Sequence, residues 1–153
     1  MSTAITALYD GMVTILGATF TAPTYKKLVN PYVPELNNDT LSLARGYGFF
    51  IGAKAARQDK LGRHEGFNAD IEVIQTIINR GTDRDVTIRE TAEKLLLEDQ
   101  YTLIDYFRLN TAPIAKVWDI SYVSDNGLEF VFTEKQNYVM IRTTLRAIFS
   151  ESC

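Results

Sequence analysis

Five carboxylates, Asp70, Glu72, Asp99, Asp119 and Glu129, mark where acid–base chemistry would have to be sought in this 153-residue chain. Asp70, Glu72, Asp119 and Glu129 fall on the polar side of alternating segments, where solvated charge is the ordinary explanation. Asp99 differs, because it projects into the apolar arc of a helix. A buried carboxylate there is either a proton-transfer group with a shifted pKa or an acceptor of backbone N–H or arginine hydrogen bonds. No partner base or nucleophile is identifiable beside it, so the structural role is expected, with backbone as its anchor. His64 is the only histidine, and no cysteine or second histidine joins it, so neither a zinc site nor a Ser-His pair can be assembled. The one cysteine, Cys153, is the last residue, which excludes an internal disulfide framework. Gly46, Gly48 and Gly52 invite a phosphate-loop reading, yet no Lys-Ser/Thr follows them and no helix opens after them. Glycines inside a strand more often mark a bulge or a close approach of another backbone. No catalytic residue, cofactor or metal is expected, and the chain is not read as an enzyme.

The element carrying Asp99 is the one the rest is arranged around. Thr87 to Leu109 has no Pro or Gly and is rich in good helix formers. Thr87 and Glu90 are spaced as a capping box. At 100° per residue, Ile88, Ala92, Leu95, Leu96, Leu103, Tyr106 and Phe107 share one arc, the face that should cover a sheet. Leu97, Tyr101 and Ile104 form a second apolar patch on the other side. A helix apolar on two sides wants two partners: the patch is covered either by the long loop 18–45 of the same chain or by a neighbouring protomer.

Around this helix the pattern reads as a single α+β domain over residues 1–153. A first helix, N-capped by Ser2, runs to about Leu16, with Gly17 after its end. Residues 18–45 carry Pro23, Pro31 and Pro34 and are expected to be irregular. An extended hairpin follows over 45–80, its second strand placing Phe67, Ala69, Ile71 and Val73 on one face. After the long helix, Trp118, Ile120 and Tyr122 alternate with polar residues, and Ser124-Asp125-Asn126-Gly127 reads as a type I′ hairpin turn. Leu128, Phe130 and Phe132 continue the apolar face, and a last strand carries Val139, Ile141, Leu145, Ala147 and Phe149. The expected order is therefore helix, hairpin, helix and three-strand meander, a mostly antiparallel sheet covered on one face by two helices.

Net charge is −3, so no overall basic field draws the chain to nucleic acid or to an anionic membrane, and no apolar run is long enough for a membrane span. Positive charge is instead local. Lys54, Arg57, Lys60 and Arg63 cluster at the tip of the hairpin, either as an arm for DNA or an acidic partner protein, or as an ordinary solvated tip.

Several strings fall in a familiar order: Asn30-Pro31-Tyr32, Arg45-Gly46-Tyr47-Gly48, Ala92-Glu93-Lys94-Leu95-Leu96-Leu97-Glu98-Asp99-Gln100 and Tyr122-Val123-Ser124-Asp125-Asn126-Gly127. With the helix, proline-rich loop, hairpin and helix order, the chain resembles the tail terminator (tail completion, or minor tail) proteins of long-tailed bacteriophages over roughly residues 1–150. The resemblance implies a virion structural protein, assembled in the host cytoplasm, that forms a hexameric ring at the head-proximal end of the tail. Such a ring stops polymerisation of the tail-tube protein and offers a surface to the neck or connector protein. A head-tail joining subunit of the neck is the close alternative, and a small monomeric binding domain the more distant one. The family carries no catalytic residues. DNA contact would be in passage only, and Leu97, Tyr101 and Ile104 become candidates for the contact between protomers.

Overall fold

Alternation along the strands and the 3.6-residue stripe on the helices fix which faces meet. The computed structural model describes residues 3–21, 25–28, 30, 45–61, 64–79, 86–110, 113–132 and 137–152. The elements are α1 (Ala4–Thr19), β1 (Tyr25–Lys27), β2 (Arg45–Leu61), β3 (His64–Asn79), α2 (Val86–Leu109), β4 (Val117–Phe132) and β5 (Asn137–Ser152). They form an α+β fold with one five-stranded mixed sheet, in the order β1-β2-β3-β5-β4. Only β1 is parallel to its neighbour, pairing Tyr25 with Arg45 and Lys27 with Tyr47; the β2–β3, β3–β5 and β5–β4 pairs are antiparallel.

Both helices lie on the same face. The odd-numbered residues Ile71 and Val73 of β3, and Leu145, Ala147 and Phe149 of β5, form one core with Leu8, Met12 and Leu16 of α1 and Leu103 and Phe107 of α2. A second cluster joins Ala92 and Leu96 of α2 to Ile77, Val139 and Ile141. A buried side chain of this size contributes about 1.5–3 kcal/mol, so these strand–helix contacts are the main cohesive term. The opposite face divides along its length. Ile74, Thr76, Ile78, Tyr138 and Met140 are buried at one end. Beside and beyond them charged side chains pair, Arg142 donating to Glu129 at 2.8 Å and Arg146 to Asp70 at 2.9 Å.

The element order differs from the expected one in two places. Tyr25–Lys27, inside the stretch expected to be irregular, is a short edge strand, extended by a Leu28 N–H to Tyr47 C=O bond of 2.9 Å. The three-strand meander is a two-strand hairpin, because β4 runs unbroken through Ser124–Gly127 and pairs with β5 on both sides of it. Gly127 has the positive φ of 72° that its sequence signal calls for. It spends that conformation on a bulge, with its N–H donating to the Asp125 carboxylate at 2.7 Å and the register shifting between Asp125 and Leu128. A positive-φ glycine serves a bulge as well as a turn, and the uninterrupted β5 offers pairing to both halves.

Helix limits also move. Thr3, not Ser2, caps α1, its hydroxyl accepting the Thr6 N–H at 3.2 Å. The helix passes Gly17 and ends at Thr19, since Phe20 packs against Tyr25 and Tyr47 and its N–H bonds Leu16 C=O at 2.8 Å. Helix α2 starts one residue before Thr87; the Thr87 and Ile88 side chains lie outside the described residues. Of the strand glycines, Gly46 marks a close approach: a Cβ there would stand 2.8 Å from Leu28 Cγ. Gly52 sits where the β2–β3 register shifts between Ile51 and Lys54.

Candidate interaction surfaces

Helix α2 positions two different sites on its two flanks. On the flank toward β1 and β2, Arg45 Nη1 donates to both Asp99 oxygens, at 3.0 and 2.9 Å, and the Tyr25 hydroxyl donates to the same carboxylate. The Arg45 guanidinium lies 4.7 Å from the Tyr25 ring centre. The Arg45 and Asp99 side chains are 18% and 15% exposed, so the pair is mostly withdrawn from water. Burial holds the Tyr25 hydroxyl well above its ordinary pKa, and the hydrogen bond to Asp99 and its negative charge push in the same direction. Asp99 is therefore saturated with donors, but they are side chains of β1 and β2 rather than the backbone anchor expected from sequence. The trio fastens the three-residue β1 to the sheet and to α2 at once.

One residue further round α2, Gln100 reaches the other way. Its Nε2 donates to Thr143 of β5 at 3.1 Å, and it also bonds Asp125 of β4. Asp125 additionally accepts the Tyr122 hydroxyl at 2.6 Å, which lowers its pKa and raises that of Tyr122. With Asp99 toward β2 and Gln100 toward β5 and β4, the 100° step turns Leu97, Tyr101 and Ile104 to the β4 side. Leu97 is 44% and Tyr101 61% exposed, whereas Ile104 is half-buried. Among the described residues nothing covers Leu97 and Tyr101, and most of the loop 18–45 lies outside them.

Strand β4 adjoins that flank and is also apolar and open. Directly opposed residues of an antiparallel pair point to the same face. Tyr122 pairs with Leu145 and Phe130 with Val139, both core residues under the helices, so Tyr122 and Phe130 share the helix-bearing face. Phe130 is 50% and Phe132 74% exposed. The alternation of β4 marks Trp118, Ile120, Tyr122, Leu128, Phe130 and Phe132 as one apolar face; it does not say that only Ile120 of them is buried. What distinguishes them is position on an edge strand that α2 covers only in part, a property of topology.

The hairpin tip is only partly described. Lys54 is exposed on β2, next to the register shift; the side chains of Arg57 and Lys60, and Arg63 altogether, lie outside the described residues, as does the His64 side chain. The four strand-face acids are placed as surface charges: Asp70 and Glu129 pair with arginines, and Glu72 lies 3.8 Å from Arg142. Among the described residues no group of three His, Cys, Asp or Glu side chains is placed to hold a metal. The carboxamide of Gln75 and the Asn68 Oδ1 are buried without a hydrogen-bond partner among the described residues. No helix among the described residues is long and apolar enough to cross a membrane. No family model matches the chain, and neither does any curated protein sequence.

Proposed function

We propose that this chain is a structural ring subunit of a virus particle, of the tail-terminator kind its sequence resembles. In this reading it caps the head-proximal end of a phage tail tube, stops the tube protein from polymerising, and gives the neck or connector its seat. The observation that carries the reading is the open apolar flank of α2, where Leu97 and Tyr101 are exposed beside the exposed Tyr122 and Phe130 of β4. A contiguous apolar surface on a soluble domain marks an interaction site, and a contact between unlike surfaces that closes by rotation builds a ring. The saturated ion pair at Asp99 supports a structural part for that residue. The hexameric state, the tube and neck partners, and any contact of Lys54, Arg57, Lys60 and Arg63 with DNA in passage belong to the same proposal.

Electron microscopy of tails assembled without the protein separates the readings. Overlong tails support a terminator. Tails of normal length left unattached to heads transfer the chain to the neck, as a head-tail joining subunit. Light scattering on the purified chain gives the cheaper test, since a strict monomer at every concentration counts against any ring and favours a small binding domain.

A further inference from the structure

Ten large hydrophobic residues are substantially exposed among the described residues, and seven of them lie at two places. One is the α2–β4 surface just described. The other is a groove of about 530 Å³ where β1 ends against β2, lined on one side by Ile5, Thr6 and Tyr9 of α1 and on the other by Lys27, Leu28 and Gly48 to Ile51. Tyr9 and Phe50 are the exposed members there. The volume lies within the roughly 300–1,000 Å³ typical of pockets that enclose a bulky group. Sheet order places the two surfaces at opposite edges, β1 and β2 at one and β4 at the other.

Resting on the ring reading above, we infer that the occupant of the groove is a second copy of this chain, which inserts the aromatic end of its β4, Phe130 and Phe132. Two features select a second copy and this orientation. The surfaces are unlike: one is a groove and the other projects side chains from an edge strand. Self-association through opposite edges is then head-to-tail, the arrangement that propagates and closes into a ring. Charge agrees. Lys27 lies exposed in the groove lining, and Glu98 lies exposed on α2 next to Leu97, neither with an ionic partner among the described residues. Each copy uses its groove for one neighbour and its β4 edge for the other, and the buried apolar area drives the contact while Lys27 and Glu98 favour its direction.

Two full-length variants test this. Phe130→Ser with Phe132→Ser removes the inserted side chains; Lys27→Glu with Phe50→Glu spoils the groove. All four residues are exposed, and far-UV CD confirms folding; Thr6→Trp, which fills the groove from the exposed side of α1, replaces the second variant if it misfolds. Each variant alone is expected to scatter light as a single chain. Mixed in equal amounts they are expected to form a species of two chains and no larger, because one intact groove and one intact β4 edge remain. Rings formed by either variant alone overturn the inference, and so does a groove variant that pairs with itself, which would mean that β4 edges meet each other. A wild-type ring combined with a monomeric mixture overturns the inference and leaves the ring reading standing. A wild-type monomer at every concentration removes both.

Discussion

The two flanks of α2 invert the usual relation between polarity and burial. One flank presents a carboxylate, yet it is mostly withdrawn from water; the other presents Leu97 and Tyr101, yet both are open to it. The difference lies in what each flank finds across the gap. Asp99 meets a guanidinium and a hydroxyl, so its desolvation is offset by charge-assisted hydrogen bonds. The Leu97 flank faces the last strand of the sheet, and beyond that strand the described chain has nothing to add. A charged flank completed within the chain holds the fold, and an apolar flank left incomplete is available to another molecule.

Substitutions at these positions break the contrast at several depths. Leu96, fully buried between the flanks, sets the upper bound: Leu96→Ala is expected to destabilise by about 2–5 kcal/mol in chemical denaturation, through lost transfer energy and the cavity left behind. Asp99→Ala follows at about 2–3 kcal/mol, less than a fully buried pair would lose because some solvent reaches it, since Arg45 and Tyr25 keep donors without an acceptor. An Asp99→Ala protein as stable as the parent would show that the latch holds nothing. Third comes a pH effect. The folded-state pKa of Tyr25 lies above its ordinary 10.0, so the stability linked to it is fully present below pH 10. It is lost as pH rises further, because the unfolded chain releases that proton while the folded chain retains it. Tyr25→Phe should flatten the alkaline fall in melting temperature without abolishing it, as Tyr47 is also raised by burial. The smallest change in stability is expected for Leu97→Glu with Tyr101→Glu, within about 0.5 kcal/mol as at other open surface sites. If the open flank is an assembly surface, this double variant loses assembly with its far-UV CD unchanged; loss of the fold would make the patch intramolecular core.

What sequence disclosed here followed how local the causes are. The buried arc of α2 and the facing parity of β5 are periodic signals, and Ala92, Leu96, Leu103 and Phe107 are buried as their spacing requires. Strand β1 escaped because three residues beside a proline carry no period, and because its pairing with Arg45 is parallel and distant. The Asn126-Gly127 signal calls for positive φ at both residues and a reversal; only Gly127 takes the positive φ, in a bulge, since the partner strand decides between turn and bulge. Asp99 was legible as an anomaly, but its partner Arg45 stands 54 residues away and Tyr25 further still, so the identity of the anchor was not. The openness of the β4 aromatics was equally hidden, because alternation shows which residues share a face and not whether anything covers it.

The bulges of β4 have a consequence for how that edge can be used. Its pairing with β5 shifts register three times, after Val117, Tyr122 and Asp125. Each shift breaks the even spacing of main-chain donors and acceptors and adds local twist. An edge so interrupted is a poor template for any passing strand, which blunts the indiscriminate stacking that long, flat edges invite. Whatever docks along β4 has to be chosen by the shape of its side chains, and an aromatic edge can then remain exposed on the free chain without seeding fibres.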